Sequence, residues 1–456
     1  MSTIAAIATS LGSSGVNIIR ISGEDSFKII STLFNNYDKL QPNSIIYGKI
    51  IDNNDIIDNV LVSYFKNPNS FTGEDIIEIN CHGGTYITKN ILDLVIKNGA
   101  KIASPGEFSK RAFLNGKMDL SEAESVIDLI NAKTKIEVKI ASNQLQGEIS
   151  NKVMKLREKL IEILAQIEVS VDYPEYDYEE IENNMVIKLL DEEIEEINNL
   201  VNSYEEGKYI KNGINVAILG RTNVGKSSLL NKLANYDRSI VTDIAGTTRD
   251  IVEETINIRD VILNISDTAG IRETEDIIEQ IGVKKSIDKL EVVDLVIYVL
   301  NAEKNISDDD KKMLLKIQNK GIKYITVINK SDIYNKSIFD QFMDELREIN
   351  IENPINISVK DNIGIEELKD KIVSLFLKDN IQTTNEIIIV NERHKNLLVE
   401  SLRNLINAKK EVLENKPIDI ISIEIKEAAT KLGNIVGKEI SVNIIDKIFE
   451  MFCLGK

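Results

Sequence analysis

INVAILGRTNVGKSSLLNKL, residues Ile214 to Leu233, decides how the chain around it must fold. An apolar, β-branched run comes first, then a loop bounded by Gly220 and Gly225, then a helical pattern. Gly220, Gly225, Lys226 and Ser227 satisfy the spacing G-x-x-x-x-G-K-S. At that spacing the glycines let the backbone curl, so that successive N–H groups converge on phosphate oxygens. Lys226 adds a positive charge at the β- and γ-phosphates, and the Ser227 hydroxyl can ligate Mg²⁺. A chance glycine turn would not bring the strand before it and the helix after it. The stretch implies a bound nucleoside triphosphate.

Outward from it, residues 213–378 alternate strand and helix patterns, which predicts a mostly parallel sheet with its ligand loops at the carboxyl ends of the strands. The strand readings are INVAILG, IVEETINI, VILNISD, VVDLVIYVL, YITVINK and NPINISV. Asp267, Thr268, Ala269 and Gly270 close the third of these. There Asp267 reaches Mg²⁺ through water, and the Gly270 N–H meets the γ-phosphate. Asn329, Lys330 and Asp332 close YITVINK. Asp332 can accept from both N1–H and the exocyclic amine of guanine, a donor pair that adenine lacks, while Lys330 covers the base. Ser358, Val359 and Lys360 support the base from the last strand end. Thr242, Asp243, Ile244, Ala245, Gly246, Thr247 and Thr248 lie between the first helix and the next strand, where one threonine should close on Mg²⁺. With Asn223, Val224, Gly225, Lys226, Ser227 and Ser228, these residues form the expected nucleotide site, and the nucleotide is GTP.

Hydrolysis is less settled by residue type. Ile271 stands where many GTPases place a water-orienting glutamine. Glu275 and Glu279 are the carboxylates available to orient water instead. The cation needed at the β–γ bridge is Arg272, Arg249 or a monovalent ion held by Asn223.

Residues 1–117 carry short strands, then a strand through Ile76–Cys81, a Gly83–Gly84 turn and a helix from Thr85 to Lys97. They read as an α/β or α+β unit. The glycine turn is either a ligand site or a tight connection. Arg20 is a surface salt bridge or an anion clamp, and Glu78, alternating with Ile77 and Ile79, reads as facing solvent. His82 reads as structural or supporting more readily than catalytic, and Arg111 and Lys117 fall in a turn-rich junction or hinge. Residues 118–212 show helical periodicity without strands, as three or so long helices, and 379–456 resume it. Helical runs on both sides of the 213–378 domain suggest an insertion, with the two runs packed together and the domain's two ends close to each other.

Composition limits the partners. The 456 residues are 43% hydrophobic and 28% charged, as in a globular protein, and the formal charge of -18 argues against broad attraction to nucleic acid without excluding one local RNA-binding face. No stretch approaches the length of a membrane span, and two distant cysteines, Cys81 and Cys453, fit a reducing cytoplasm.

Taken together, TIAAIAT, IIRISG, TGEDIIEINCHGG, PGEFSKRAFLNGK, the GTPase motifs and the terminal FCLGK resemble the bacterial and mitochondrial tRNA-modification GTPase family known as MnmE or TrmE. The resemblance spans the chain. It implies a multidomain α/β plus α fold: an N-terminal α/β folate-binding and dimerisation domain (1–117), a discontinuous helical domain (118–212 and 379–456) and an inserted P-loop GTPase domain (213–378). It implies that Arg20, Glu78, Lys117 and Lys456 bind 5-formyl- or 5,10-methylene-tetrahydrofolate. It implies K⁺ ligated by Asn223, Thr242, Ile244 and Thr247 in place of an arginine finger, Mg²⁺ held by Ser227 and Thr248, water oriented by Glu279, and a role for Cys453 in tRNA modification. A homodimer with a FAD-dependent partner subunit, in a heterotetramer or larger complex, would then add aminomethyl or carboxymethylaminomethyl groups at C5 of the wobble uridine in certain tRNAs. The competing readings are a ribosome-assembly GTPase, which should carry a basic RNA-binding domain absent from this C-terminal pattern, and a nucleotide-gated binding module without chemistry.

Overall fold

Strand β1 (Ile4–Ile7) and strand β2 (Val16–Ser22) begin a sheet whose apolar alternation buries one face. Helix α1 (Ser26–Leu33), β3 (Ser44–Asp52), β4 (Asp55–Phe65), β5 (Ile76–His82), α2 (Thr85–Lys97) and β6 (Lys101–Ile102) complete the unit. The strand order is β3-β4-β5-β2-β1-β6, antiparallel except for β1 with β6, so the α+β arm of the reading describes it. Asn53 and Asn54 both take left-handed φ values (45° and 82°), which asparagine tolerates and a two-residue hairpin of this twist requires. Ile77, Ile79 and Cys81 face the α1–α2 side, where Ile29, Ile91 and Leu94 share their core. The structure is a computed structural model that describes residues 1–172, 183–236, 254–265, 293–302, 306–333, 336–378, 387–452 and 455.

The stretch PGEFSKRAFLNGK, read as a turn-rich junction or hinge, contains helix α3 (Glu107–Leu114), in which Arg111 is buried and paired. Its guanidinium donates to both Glu74 oxygens (3.1 and 3.0 Å), to Glu107 (2.8 Å) and to the Ser2 carbonyl (2.8 Å). A charge removed from water in this way persists only with such pairing.

The helical region contains four helices rather than about three among the described residues: α4 (Leu120–Asn131), α5 (Lys135–Leu145), α6 (Glu148–Asp172) and α7 (Asn183–Asn212). The sequence around Pro174 and the acidic run after it lie outside the described residues. In the other α/β sheet, β7 (Ile214–Leu219) leads into α8 (Lys226–Tyr236), followed by β8 (Glu254–Ile258), β9 (Val261–Ile265) and β10 (Leu295–Asn301). Then come α9 (Asp308–Asn319), β11 (Lys323–Asn329), α10 (Lys336–Glu348), β12 (Ile355–Asn356) and α11 (Ile365–Ser374). The order β12-β11-β10-β7-β9-β8 is parallel throughout except for the β8–β9 hairpin. NPINISV contributes only two strand residues, since the chain turns at Ser358 to bridge back to Ile363.

The last helices are α12 (Glu392–Leu413), α13 (Ile418–Val436) and α14 (Val442–Glu450). Helix α13 packs along α6, so the two helical runs do meet across the sequence between them. Arg157 reaches Glu439 at 3.0 Å, and Ser401 donates to the Ala428 carbonyl at 3.1 Å. The ends of the inserted sequence also adjoin: Tyr209 meets Phe376 edge-on at 4.7 Å, and Lys378 pairs with Glu206 at 2.9 Å. The chain divides into two compact units, one of Met1–Asn131, Ala141–Ile194 and Leu397–Lys456, the other of Ala132–Ile140 and Glu195–Asn396.

Candidate functional site

Each described nucleotide residue sits at a carboxyl end of the parallel strands, as the pattern requires. β7 ends at Leu219, and Gly220 turns with φ +141° against the Val299 carbonyl, where any Cβ would overlap backbone. Asn223 takes a left-handed φ of 62° and lies exposed at the loop tip. Gly225 (φ +98°) lies directly against the Asn329 amide, so a side chain there would push the loop off its support. Lys226 then opens α8, and its Nζ donates to the carbonyls of Gly220 (2.8 Å) and Arg221 (2.5 Å). The ammonium thus spans the mouth of the loop. Burial pulls its pKa below the usual lysine range, with the Asp310 charge acting the other way.

Asn329 is the residue whose role the motif alone leaves obscure. It is 3% exposed, and its Nδ2 donates to the Val224 carbonyl at 2.9 Å while its Oδ1 accepts from the Val359 N–H at 3.3 Å. One amide therefore ties the phosphate loop to the last base-side loop. Asp332 stands exposed beside it. The fully buried Ser358 donates its hydroxyl to Asp332 Oδ1 at 2.8 Å and accepts from the Asp361 N–H at 3.1 Å. The Ser358 hydrogen bond holds the Asp332 carboxyl below the ordinary carboxylate range, keeping it ionised and aimed. Replacing Ser358 with alanine is expected to weaken GTP binding about tenfold, as loss of one orienting hydrogen bond to a charged acceptor. A fluorescent-nucleotide titration checks this, and an unchanged Kd would remove Ser358 from the base site.

Behind the loop, Tyr298 donates its hydroxyl to Asp310 at 2.8 Å, and Ser307 donates to the other carboxylate oxygen at 2.6 Å. Burial raises the Tyr298 pKa far above its usual value. Nothing local in the sequence signals this pair, because a strand residue and a helix N-terminus meet only in the fold. Thr242 through Thr248, Asp267 through Gly270, Ile271, Arg249, Arg272, Glu275, Glu279, Cys453 and Lys456 lie outside the described residues.

The N-terminal candidates are partly brought together. Arg20 and Glu78 are register partners on β2 and β5, joined at 2.8 Å from Nε to Oε1, with side chains 15% and 20% exposed. Glu78 is therefore not a solvent-facing residue: alternation put it on the second face of the sheet, and part of that face is covered. The Arg20 guanidinium lies 5.6 Å from the ring centres of Phe71 and Phe108. Lys117 donates to the Pro68 carbonyl at 3.0 Å and packs its stem near Gly73, on the loop that also carries Phe71. His82 is exposed, and Gly83 lies against the Ser14 backbone, which explains the glycine without a ligand. Among the described residues no group of His, Cys, Asp and Glu has the arrangement of a metal site, and no helix is long and apolar enough to cross a membrane.

Comparison with known proteins adds two family matches. Residues 3–117 match the model described as GTP-binding protein TrmE N-terminus, and residues 120–453 match the MnmE helical domain. Curated relatives named tRNA modification GTPase MnmE are similar over 100% of this chain and 99% of their own length. Identity is 46% for the protein of Acetivibrio thermocellus and 43% for that of Clostridioides difficile. A solved structure of a variant of Aquifex aeolicus Era bound to GDP.AlF4- is similar over 42% of this chain and 66% of that chain, at 26% identity and a TM-score of 0.29.

Proposed function

The chain belongs to the MnmE family of tRNA modification GTPases, and from that premise we propose that it hydrolyses GTP in a K⁺-activated cycle coupled to dimerisation, in the service of tRNA wobble-uridine modification. The observation that carries the nucleotide half is the Asn329 amide, which joins the Lys226 loop to the Ser358–Asp332 base loop as one preformed guanine site. The domain reading is 1–117 for folate binding and dimerisation, 118–212 with 379–456 for the helical domain, and 213–378 for the GTPase domain.

Within this reading Lys226 leaves its two carbonyl partners for the β- and γ-phosphates, Asp332 reads the guanine edge and Lys330 covers it. Ser227, with Thr248, would hold Mg²⁺. The exposed, left-handed Asn223 offers an amide oxygen at the rim of the phosphate loop, a donor suited to a weakly hydrated monovalent cation. With Thr242, Ile244 and Thr247 it would hold K⁺, which supplies positive charge where an arginine finger otherwise would. Glu279 orients the attacking water. Homodimer formation across the nucleotides brings these groups into place.

At the N-terminal site the donor set fits a folate: a half-buried guanidinium flanked by Phe71, its carboxylate partner Glu78, and Lys117 nearby, with Lys456 the fourth candidate. When bound, the folate supplies the one-carbon unit. The Arg20–Glu78 pair would meet one end of the ligand, where Glu78 can accept from the pterin N–H edge, Lys117 suits a glutamate carboxylate, and Cys453 acts in the modification itself. With a FAD-dependent partner subunit, in a heterotetramer or larger complex in the cytoplasm, the protein adds an aminomethyl or carboxymethylaminomethyl group at C5 of the wobble uridine.

GTP hydrolysis is expected to run at least about tenfold faster in K⁺ than in Na⁺ at matched ionic strength, the scale of a partly replaced arginine finger. Steady-state phosphate release measures it. Equal rates in the two salts would remove K⁺ from the mechanism.

A further inference from the structure

Helix α3 is capped by Asn115, and the way it ends aims two side chains at one loop. Gly116 takes φ +67° with nothing within 4 Å of where a Cβ would be, so glycine serves the left-handed turn alone. The turn is closed by the Asn115 N–H on the Arg111 carbonyl (2.9 Å), the Gly116 N–H on that of Phe113 (3.0 Å) and the Lys117 N–H on that of Ala112 (2.9 Å). Asn115 and Lys117 therefore leave the helix at fixed positions. The Asn115 amide donates to the Thr72 carbonyl at 2.7 Å, and Lys117 Nζ donates to the Pro68 carbonyl at 3.0 Å. Gly73 (φ +76°) passes against both: a Cβ on it would lie 3.3 Å from Asn115 Cβ and 3.2 Å from Lys117 Cγ.

The same loop reaches Arg20. Phe71 packs with Ile4, Ala6, Ala103 and Phe108, and its ring centre lies 5.6 Å from the Arg20 guanidinium. Thr72 is fully buried, and its hydroxyl meets Ser22 Oγ at 2.8 Å. Glu74 accepts from Ser22 Oγ at 2.7 Å and from Arg111. Ser22 lies two residues beyond Arg20 on β2, so these bonds fix the loop to the strand that carries the guanidinium. Thr72 is thus tied to the Arg20 strand through its hydroxyl and to the Lys117 turn through its carbonyl. The second tie is made by Asn115.

We propose that Asn115 is a positioning residue of the folate site: by holding the Thr72 carbonyl it sets the distance between the Arg20–Glu78 pair, at the pterin end, and the Lys117 ammonium, which takes a glutamate carboxylate. The inference rests on the folate reading above and deepens it. Lys117 is seated on a neutral carbonyl, which a ligand carboxylate displaces as the stronger, charge-assisted partner. A ligand that bridges two ends binds best when their spacing is fixed beforehand, because any freedom left in it is lost on binding. Asn115 therefore matters for a ligand held at both ends and not for one held at a single end.

Calorimetry of 5-formyltetrahydrofolate on the full-length protein tests this with Asn115→Ala, Lys117→Met and the double variant. Asn115 is exposed, so truncating it leaves no cavity and the variant should melt close to the wild type. Asn115→Ala should bind about three- to tenfold more weakly, the scale of one neutral hydrogen bond, and Lys117→Met at least about tenfold more weakly, the scale of one to a charged group. The double variant should bind no more weakly than Lys117→Met, since without the ammonium there is no second end to space. Unchanged affinity in Asn115→Ala overturns the proposal. So do losses that multiply in the double variant, which would make Asn115 independent of Lys117. Asn115→Asp keeps the side-chain volume but sets a carboxylate oxygen against the Thr72 carbonyl, so it should bind at least as weakly as Asn115→Ala; wild-type affinity there also overturns the proposal. The two failures are distinct. Wild-type protein that binds the folate no better than Asn115→Ala sinks the Asn115 role and leaves the folate site standing. Wild-type protein that binds no folate sinks the folate site, and this inference with it.

Discussion

Asp332→Asn is expected to lower GTP affinity on the order of 100-fold and to turn the preference toward xanthosine triphosphate. The carboxylate is held for two guanine donors, N1–H and the exocyclic amine, with the Ser358 hydroxyl fixing one oxygen at 2.8 Å. An asparagine there keeps one acceptor and places an N–H₂ opposite the guanine amine, donor against donor. Xanthine carries a carbonyl at that position, so the same amide becomes complementary to it. Paired titrations of wild type and variant with the two triphosphates measure the swing. A variant that still prefers GTP by the wild-type margin would mean that Asp332 does not read the base.

Asn329→Ala should act on both loops at once. The side chain is buried, and removing it leaves the Val224 carbonyl and the Val359 N–H without their partner at the heart of the site. Each stranded backbone group costs about 1–3 kcal/mol, so a stability loss of roughly 2–4 kcal/mol is expected by denaturant titration. GTP affinity should fall on the order of 100-fold, because the phosphate loop and the base loop no longer hold one spacing. Aspartate is not a rescue: it would set a carboxylate oxygen against the Val224 carbonyl, where a donor is required. Lowered stability with wild-type GTP affinity, measured well below the melting transition, would reduce Asn329 to a core residue.

These two side chains differ in how far their roles could be read in advance. Asp332 is legible because its partner is the ligand, and a ligand imposes residue type at fixed spacing from a strand end. Asn329 lies in the same motif, yet its partners are 105 and 30 residues away in the chain, on backbone atoms that carry no residue-type signal. The N-terminal sheet repeats the lesson. Alternation placed Glu78 on the second face correctly but assigned that face to water, whereas antiparallel pairing sets Arg20 directly opposite it and brings Phe71 and Phe108 alongside. Arg111 read as part of a turn-rich junction or hinge, and Glu74, Glu107 and Ser2 made it an internal charge. Asp58 gave no sign of a partner before the β4–β5 pairing brought it to His82.

The sequence by itself determined the elements and the kind of ligand: a strand, a glycine loop and a helix from Ile214 to Leu233, a guanine-reading strand end, and helical runs on either side of that domain. Those depend on local periodicity and on motif spacing, which neighbouring residues encode directly. Only the tertiary structure decided which polar groups complete each other: Asn329 with Val224 and Val359, Arg20 with Glu78, Asp58 with His82. The reason is that a buried donor or acceptor must be satisfied from wherever the fold brings a partner, and strand register, not chain proximity, sets that distance.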